Sequence, residues 1–196
     1  MEIDIYDFDK TIVPFDSGSL FWMYCLVHYP WTAVLLPLQL VTGALAFLHI
    51  ISFTRFKKFI FSFVALIPLE KAVKRFWDRY ESQVHGWFYD RKRYSVVISA
   101  SPDFLLDEIG KRLGFDKLIC SRHNARTGTI IGENCRAEEK VRRLGEELDM
   151  SSVRVVDVYS DSLAHDRPIF SLGEHCWHIV GGERIAFDYD EVYNNK

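Results

Sequence analysis

The stretch EIDIYDFDKT, residues 2–11, decides how the rest of the chain is read. Ile3, Ile5 and their flanking residues suit a short strand ending at Asp7, where Asp, Lys and Thr begin a loop. An acidic pair, Asp7 and Asp9, therefore stands at the carboxyl end of the first strand. Taken alone, two aspartates in a loop are often no more than a solvated turn, so their meaning depends on what else the chain brings to the same place.

Downstream, strands and helices alternate. Residues 95–98 form a β-branched run, and Ser101-Pro102-Asp103 reads as an N-cap serine with proline at the first helical position, before a helix that Gly114 can stop. Residues 117–120 suit another strand, RHNARTGTIIG a turn or hairpin, and 137–148 a charged amphipathic helix. Residues 153–159 read as a strand and 176–180 as the last one. Strands separated by helices imply a mainly parallel sheet in an α/β fold, with ligands off the carboxyl ends of the strands. Three polar clusters fall at such ends: Asp7 with Asp9 and Thr11, Ser99 with Ser101, and Asp161 with Asp166.

Residues 17–54 contain no Asp, Glu, Lys or Arg, and together with the apolar and basic residues that follow they are expected to be helical as far as residue 90, with Pro30, Pro37 and Pro68 at ends or kinks. Residues 31–53 alone give 23 uncharged positions, enough for the roughly 20 that a membrane-spanning helix needs. A single crossing is ruled out by topology, because Asp7 before the segment and Ser99, Lys140 and Asp161 after it must meet on one side. A re-entrant hairpin or an interfacial helix pair fits better. The alternative is the dry core of a helical cap. Arg55, Lys57, Lys58, Lys71, Lys74, Arg75 and Arg79 follow, a composition suited to anionic headgroups.

At 196 residues with a net charge of −3 and both signs interspersed, the chain has no basic field of the kind that draws proteins to nucleic acid. Its four cysteines show no metal-binding spacing and read as free thiols of a reducing compartment, which implies a cytoplasmic location, here at the inner face of the membrane. Charged residues from Asp4 onward leave no room for a signal peptide.

With D-F-D-K-T at 7–11, V-V-I-S at 96–99, Lys140 in AEEKVRRL and Y-S-D-S-L-A-H-D at 159–166, the sequence resembles the haloacid-dehalogenase-like phosphatases, in particular their phosphoserine-phosphatase-like branch. That resemblance implies a Rossmann-like three-layer sandwich, with a catalytic core of residues 1–14 and 91–196 and an inserted helical cap of residues 15–90. It implies a magnesium-dependent phosphomonoesterase with Asp7 as nucleophile, Asp9 as general acid and base, and Thr11, Ser99 and Lys140 on the phosphate. Asp7, Asp9 through its carbonyl, Asp161 and Asp166 would serve as metal ligands. Ala137 departs from the pattern, standing where related sequences often carry glycine before the lysine.

Elementary chemistry agrees with this assignment: a carboxylate attacks a phosphate dianion only where a hard cation and fixed donors neutralise both. The apolar cap and the ending around His175 to Val180 are similar to membrane-bound phosphatidylglycerophosphate phosphatases of the same branch, which points to a lipid phosphate. A soluble metabolite phosphatase and an inactive membrane adaptor are the competing readings. Asp157, in an otherwise apolar strand, has no role that the sequence explains.

Overall fold

The computed structural model describes residues 1–52, 56 and 59–194. Strand β1 (Glu2–Tyr6) is followed by helices α1 (Ser17–His28), α2 (Leu36–Phe47) and α3 (Leu69–Tyr80), interspersed with short 3-10 turns at Pro30–Leu35, Ser62–Leu66, Glu81–Gln83 and Gly86–Asp90. Then come β2 (Tyr94–Pro102), α4 (Asp103–Leu113), β3 (Lys117–Ser121), α5 (Glu138–Glu147), β4 (Arg154–Ser160), α6 (Arg167–Phe170), β5 (His175–Val180), β6 (Glu183–Phe187) and α7 (Tyr189–Tyr193).

The sheet order is β3-β2-β1-β4-β5-β6, parallel except for β6. β1 is central, and from it the chain winds outward to β3 before crossing back to β4. The strand order reverses between β1 and β4, which is where open α/β sheets leave a crevice for ligands. β1 can occupy this place because its residues after Glu2 are all buried. Ile3 and Ile5 pack with Val96, Ile98, Val158, Leu144 and Phe170 on one face, while Tyr6 and Phe8 join Phe21, Phe76, Trp77 and Leu105 on the other. Helices α5 and α6 thus cover one face, and α4 with residues of α1 and α3 the other, making three layers of an α/β sandwich.

Four sequence expectations change. β5 is not the last strand: Gly181 and Gly182, at φ 59° and 89°, supply the two positive-φ positions of a tight hairpin, and β6 returns antiparallel along β5. Ser101 does not cap a helix. β2 runs on through Pro102, which pairs with Ser121, and α4 starts at Asp103. Asp157 belongs to a buried polar cluster: it accepts hydrogen bonds from Arg93 and from Trp177 Nε1 at 2.8 Å, while Arg93 Nε reaches Asp4 at 2.7 Å. A carboxylate inside a sheet layer is tolerable when paired in this way.

The fourth change concerns the uncharged segment. The buried residues of α2 are Gln39 and Thr42, whereas Leu38, Leu40, Val41 and Phe47 are exposed, the last at 84%. Gln39 explains half of this inversion, since it accepts from Trp22 Nε1 at 3.0 Å and donates to the Ile60 carbonyl at 3.0 Å, and Thr42 bonds back to the Leu38 carbonyl. The helix therefore turns its polar groups inward and its apolar ones outward, the reverse of a dry cap core. Pro30–Phe47 is long and apolar enough to cross a membrane by length and composition. Of the basic residues after it, Lys71, Lys74, Arg75 and Arg79 are exposed on α3, while Arg55, Lys57 and Lys58 lie outside the described residues.

Candidate active site

The three polar clusters do converge. Asp7 leaves β1 with its N–H donating to the Tyr159 carbonyl of β4 at 2.9 Å, so that main-chain pairing holds the first residue of the loop against the neighbouring strand. Its Oδ1 accepts from Lys140 Nζ at 2.7 Å. Lys140 sits in the first turn of α5, buried at 2% exposure, and its ammonium also reaches Asp166 at 2.8 Å. A lysine that ordinarily faces solvent is here drawn inward between two carboxylates.

Thr11 is fully buried; its hydroxyl donates to Asp7 Oδ2 at 3.4 Å and accepts from the Asp161 N–H at 2.9 Å. It thereby ties the loop after β1 to the loop after β4. Ser99 is buried at the carboxyl end of β2 and accepts from the Ser101 N–H at 3.0 Å, which leaves its own hydroxyl proton to be donated. Asp166, also buried, accepts from the Ser160 hydroxyl, and the Asp161 carbonyl accepts from His178 Nε2 at 2.9 Å.

Asp9 follows a different path. Its Oδ1 accepts from the Ser17 N–H at 2.7 Å and its Oδ2 from the Ser101 hydroxyl at 2.5 Å. It lines a cavity of about 760 Å³ together with Ser101, Asn134 and Arg136. The walls are Trp22 and Met23 of α1, Leu40, Ala44 and Phe47 of α2, and Ile60 and Phe61. This volume lies within the range of small-molecule sites, and apolar walls with a few convergent polar groups are their usual make-up.

The electrostatics are those of an overfilled anionic site. Burial pushes the Asp7 carboxyl up; Lys140 pulls it down, and Asp166 and Asp9 push it further up. Burial also raises Asp9, aided by Asp16 and opposed by the hydrogen bonds from Ser101 and Ser17. Asp161 is raised by burial and then by Asp166, against Lys10 and Lys140. Burial would lower Lys140, but Asp7 and Asp166 outweigh it and hold the ammonium charged. Among the described residues, no group of three or more His, Cys, Asp or Glu side chains is arranged to hold a metal ion unaided. Asp166 is engaged with Lys140 and Ser160, and the Asp9 side chain with Ser17 and Ser101. Asp161 is half-buried in the loop after β4.

Ala137 takes φ 52°, ψ −128° just before α5, a conformation that favours glycine. The departure from the expected glycine at this position is thus a locally strained residue at the base of the helix that delivers Lys140.

The model of the haloacid dehalogenase-like hydrolase family matches residues 5–171, a span that contains Asp7, Ser99, Lys140, Asp161 and Asp166. The chain belongs to the haloacid dehalogenase-like hydrolases. Among curated relatives, protein CicA of Caulobacter vibrioides is 33% identical over 93 residues, a match spanning 45% of this chain and 41% of CicA. Among solved structures, a protein of unknown function from Bordetella pertussis Tohama I superposes with a TM-score of 0.71 at 18% identity, covering 87% of this chain and 86% of that one. A phosphoserine phosphatase solved as an analogue of its phospho-aspartyl intermediate superposes with a TM-score of 0.57 at 18% identity, covering 90% of this chain and 85% of that one. At these identities the likeness establishes a shared fold.

Several residues that contact these side chains or line the cavity were not singled out from the sequence. Ser17, Ser160 and His178 act through main-chain and hydroxyl contacts for which sequence gives no marker. Asn134 and Arg136 had a signal, since they directly precede the helix of Lys140.

Proposed function

We propose that this chain hydrolyses phosphate monoesters through an aspartyl-phosphate formed on Asp7, and that the monoester is carried on a lipid. The observation that carries the reading is the placement of Asp7 against the Lys140 ammonium, with Asp9 beside it lining an apolar cavity. The phosphoryl group would lie between Asp7, the Ser99 hydroxyl and Lys140, whose fixed charge offsets the negative charge of the transferring group. Asp7 Oδ attacks phosphorus while the bond to the leaving oxygen breaks, and the Asp9 carboxyl gives that oxygen its proton. Asp9 then takes a proton from the water that releases phosphate from Asp7. Burial suits Asp9 to the first role, because a carboxyl whose protonated form is favoured is a competent acid.

Magnesium fits the donor set. Lys140, the one buried ammonium among the described residues, pairs with Asp7 and Asp166, while burial raises Asp7, Asp9 and Asp161, so the site is short of positive charge. Asp7, Asp161 and the Asp9 carbonyl are hard oxygens, and one or two carboxylates completed by phosphate and water are what this ion takes. When bound it would neutralise phosphate and nucleophile together. Asp166 would act from behind, by holding Lys140.

Residues 15–90 would serve as a cap over a core of residues 1–14 and 91–196. The outward apolar face of α2 supports contact with a membrane, and exposed basic residues of α3 suit anionic headgroups. The described cysteines are all free, as a cytoplasmic placement requires.

The test is magnesium-dependent phosphate release from lipid phosphates in mixed micelles, with phosphoserine as the soluble comparison. Brief incubation with radiolabelled substrate should label the peptide bearing Asp7, and Asp7→Asn should remove both label and turnover while melting normally. Turnover by a folded Asp7→Asn protein would refute the mechanism, and a preference for phosphoserine would refute the lipid substrate.

A further inference from the structure

The strongest unassigned feature of the site is the pair of serines that grips Asp9. Ser101, at the end of β2, is 5% exposed, and Ser17, the first residue of α1, is fully buried. Ser101 Oγ donates to Asp9 Oδ2 and accepts from Ser17 Oγ at 3.1 Å; the Ser17 N–H donates to Asp9 Oδ1 at 2.7 Å. Ser101 is fixed in turn, because its N–H donates to Ser99 Oγ. Both oxygens of Asp9 are therefore held, one from the sheet through Ser101 and the other from the first turn of α1 through Ser17.

We propose that Ser101, braced by Ser17, is a positioning residue that aims the Asp9 carboxyl at the leaving oxygen and makes proton transfer depend on the seating of α1. This rests on the phosphatase reading above. A carboxylate in the loop just before Lys10, which itself has φ 56°, has little else to fix its rotamer. These hydrogen bonds supply that restraint, and a carboxyl has lone-pair sites beyond them to carry the transferred proton. A hydroxyl suits the position because it can donate to the carboxylate and accept once Asp9 is protonated. Proton transfer contributes when the group is held within hydrogen-bond reach, and a displacement of about 1 Å is enough to lower rates about a hundredfold.

The role predicts a dependence on the leaving group. In the full chain with magnesium, Ser101→Ala should lower kcat/KM, which reports the steps up to departure of the leaving group, about tenfold or more for an alkyl phosphate, whose leaving oxygen needs the proton. For p-nitrophenyl phosphate, whose leaving group departs unaided, the loss in kcat/KM should be several times smaller, while the hydrolysis step shared by both substrates leaves this ratio untouched. Ser101→Thr, which keeps the hydroxyl, should restore most of the lost rate. If Ser101→Ala fails to fold, Ser101→Cys, with its weak donor, should show the same leaving-group pattern. Equal losses with both substrates, or no rescue by threonine in a folded protein, overturn the assignment of Ser101 while leaving the phosphatase reading intact. Absence of turnover by the parent with every monoester overturns the phosphatase reading and this one with it.

Discussion

The apolar cavity makes a quantitative prediction about chain length. Its walls are contributed by Trp22, Met23, Leu40, Ala44, Phe47, Ile60 and Phe61, together with Asp9 and Ser101, and its volume is about 760 Å³. On the proposed reading, a monoester with its phosphate at Asp7 would direct its alkyl group past Asp9 into this space. Each methylene moved from water to such walls is worth about 0.8 kcal/mol when fully enclosed. That is close to fourfold in kcat/KM per carbon, and about twofold where a wall residue such as Phe47 is itself open to solvent. The assay is kcat/KM across a series from butyl to dodecyl phosphate, each below its micelle concentration, so that the cavity and not a bilayer receives the chain. The expected curve rises per carbon and then levels when the cavity is filled, and Ala44→Trp should bring the plateau to shorter chains. A flat profile, or a plateau unmoved by Ala44→Trp in a protein with unchanged melting, would refute the inference that this space receives the apolar part of the substrate.

Three further outcomes follow from the structure. Ala137→Gly should stabilise the protein by about 1 kcal/mol, because relief of a positive φ outweighs the entropy of glycine, and calorimetry should show a melting temperature a few degrees higher. Asp7, Asp9 and Asp161 are raised above the ordinary 3.8 in the metal-free fold, so their contribution to stability is complete below that value and is lost as pH rises through their folded values. Metal-free protein should therefore melt lower at about pH 8 than at about pH 5, and added magnesium should raise the melting temperature more at the higher pH; an equal shift at both would contradict the charge imbalance. Finally, the parent should float with vesicles containing anionic lipid, and Val34→Asp with Val41→Asp should release it. A charge in the bilayer interior costs about 2.5–3.5 kcal/mol, whereas both positions are exposed in the fold; unaltered flotation would reject this face as the contact.

What the sequence determined by itself was the α/β fold and the order of the polar clusters along the chain. Strand-ending polar clusters at Asp7, Ser99 and Asp161, with Lys140 between the last two, are readable because period and punctuation are local properties, and they placed the carboxylates in one crevice. Helix α3 was legible for the same reason. Tertiary structure decided how the polar groups divide their work. Ser-Pro-Asp reads equally well as a helix cap or as the end of a long strand, and only pairing of Pro102 with Ser121 makes Ser101 a partner of Asp9. Asp157 gains its meaning from Arg93, distant in sequence. The uncharged segment shows the limit most plainly. Its composition has no period, so nothing local says which side faces inward, and it is the hydrogen bonds from Trp22 to Gln39 and from Gln39 to Ile60 that turn the polar groups of α2 in and leave its apolar ones outside.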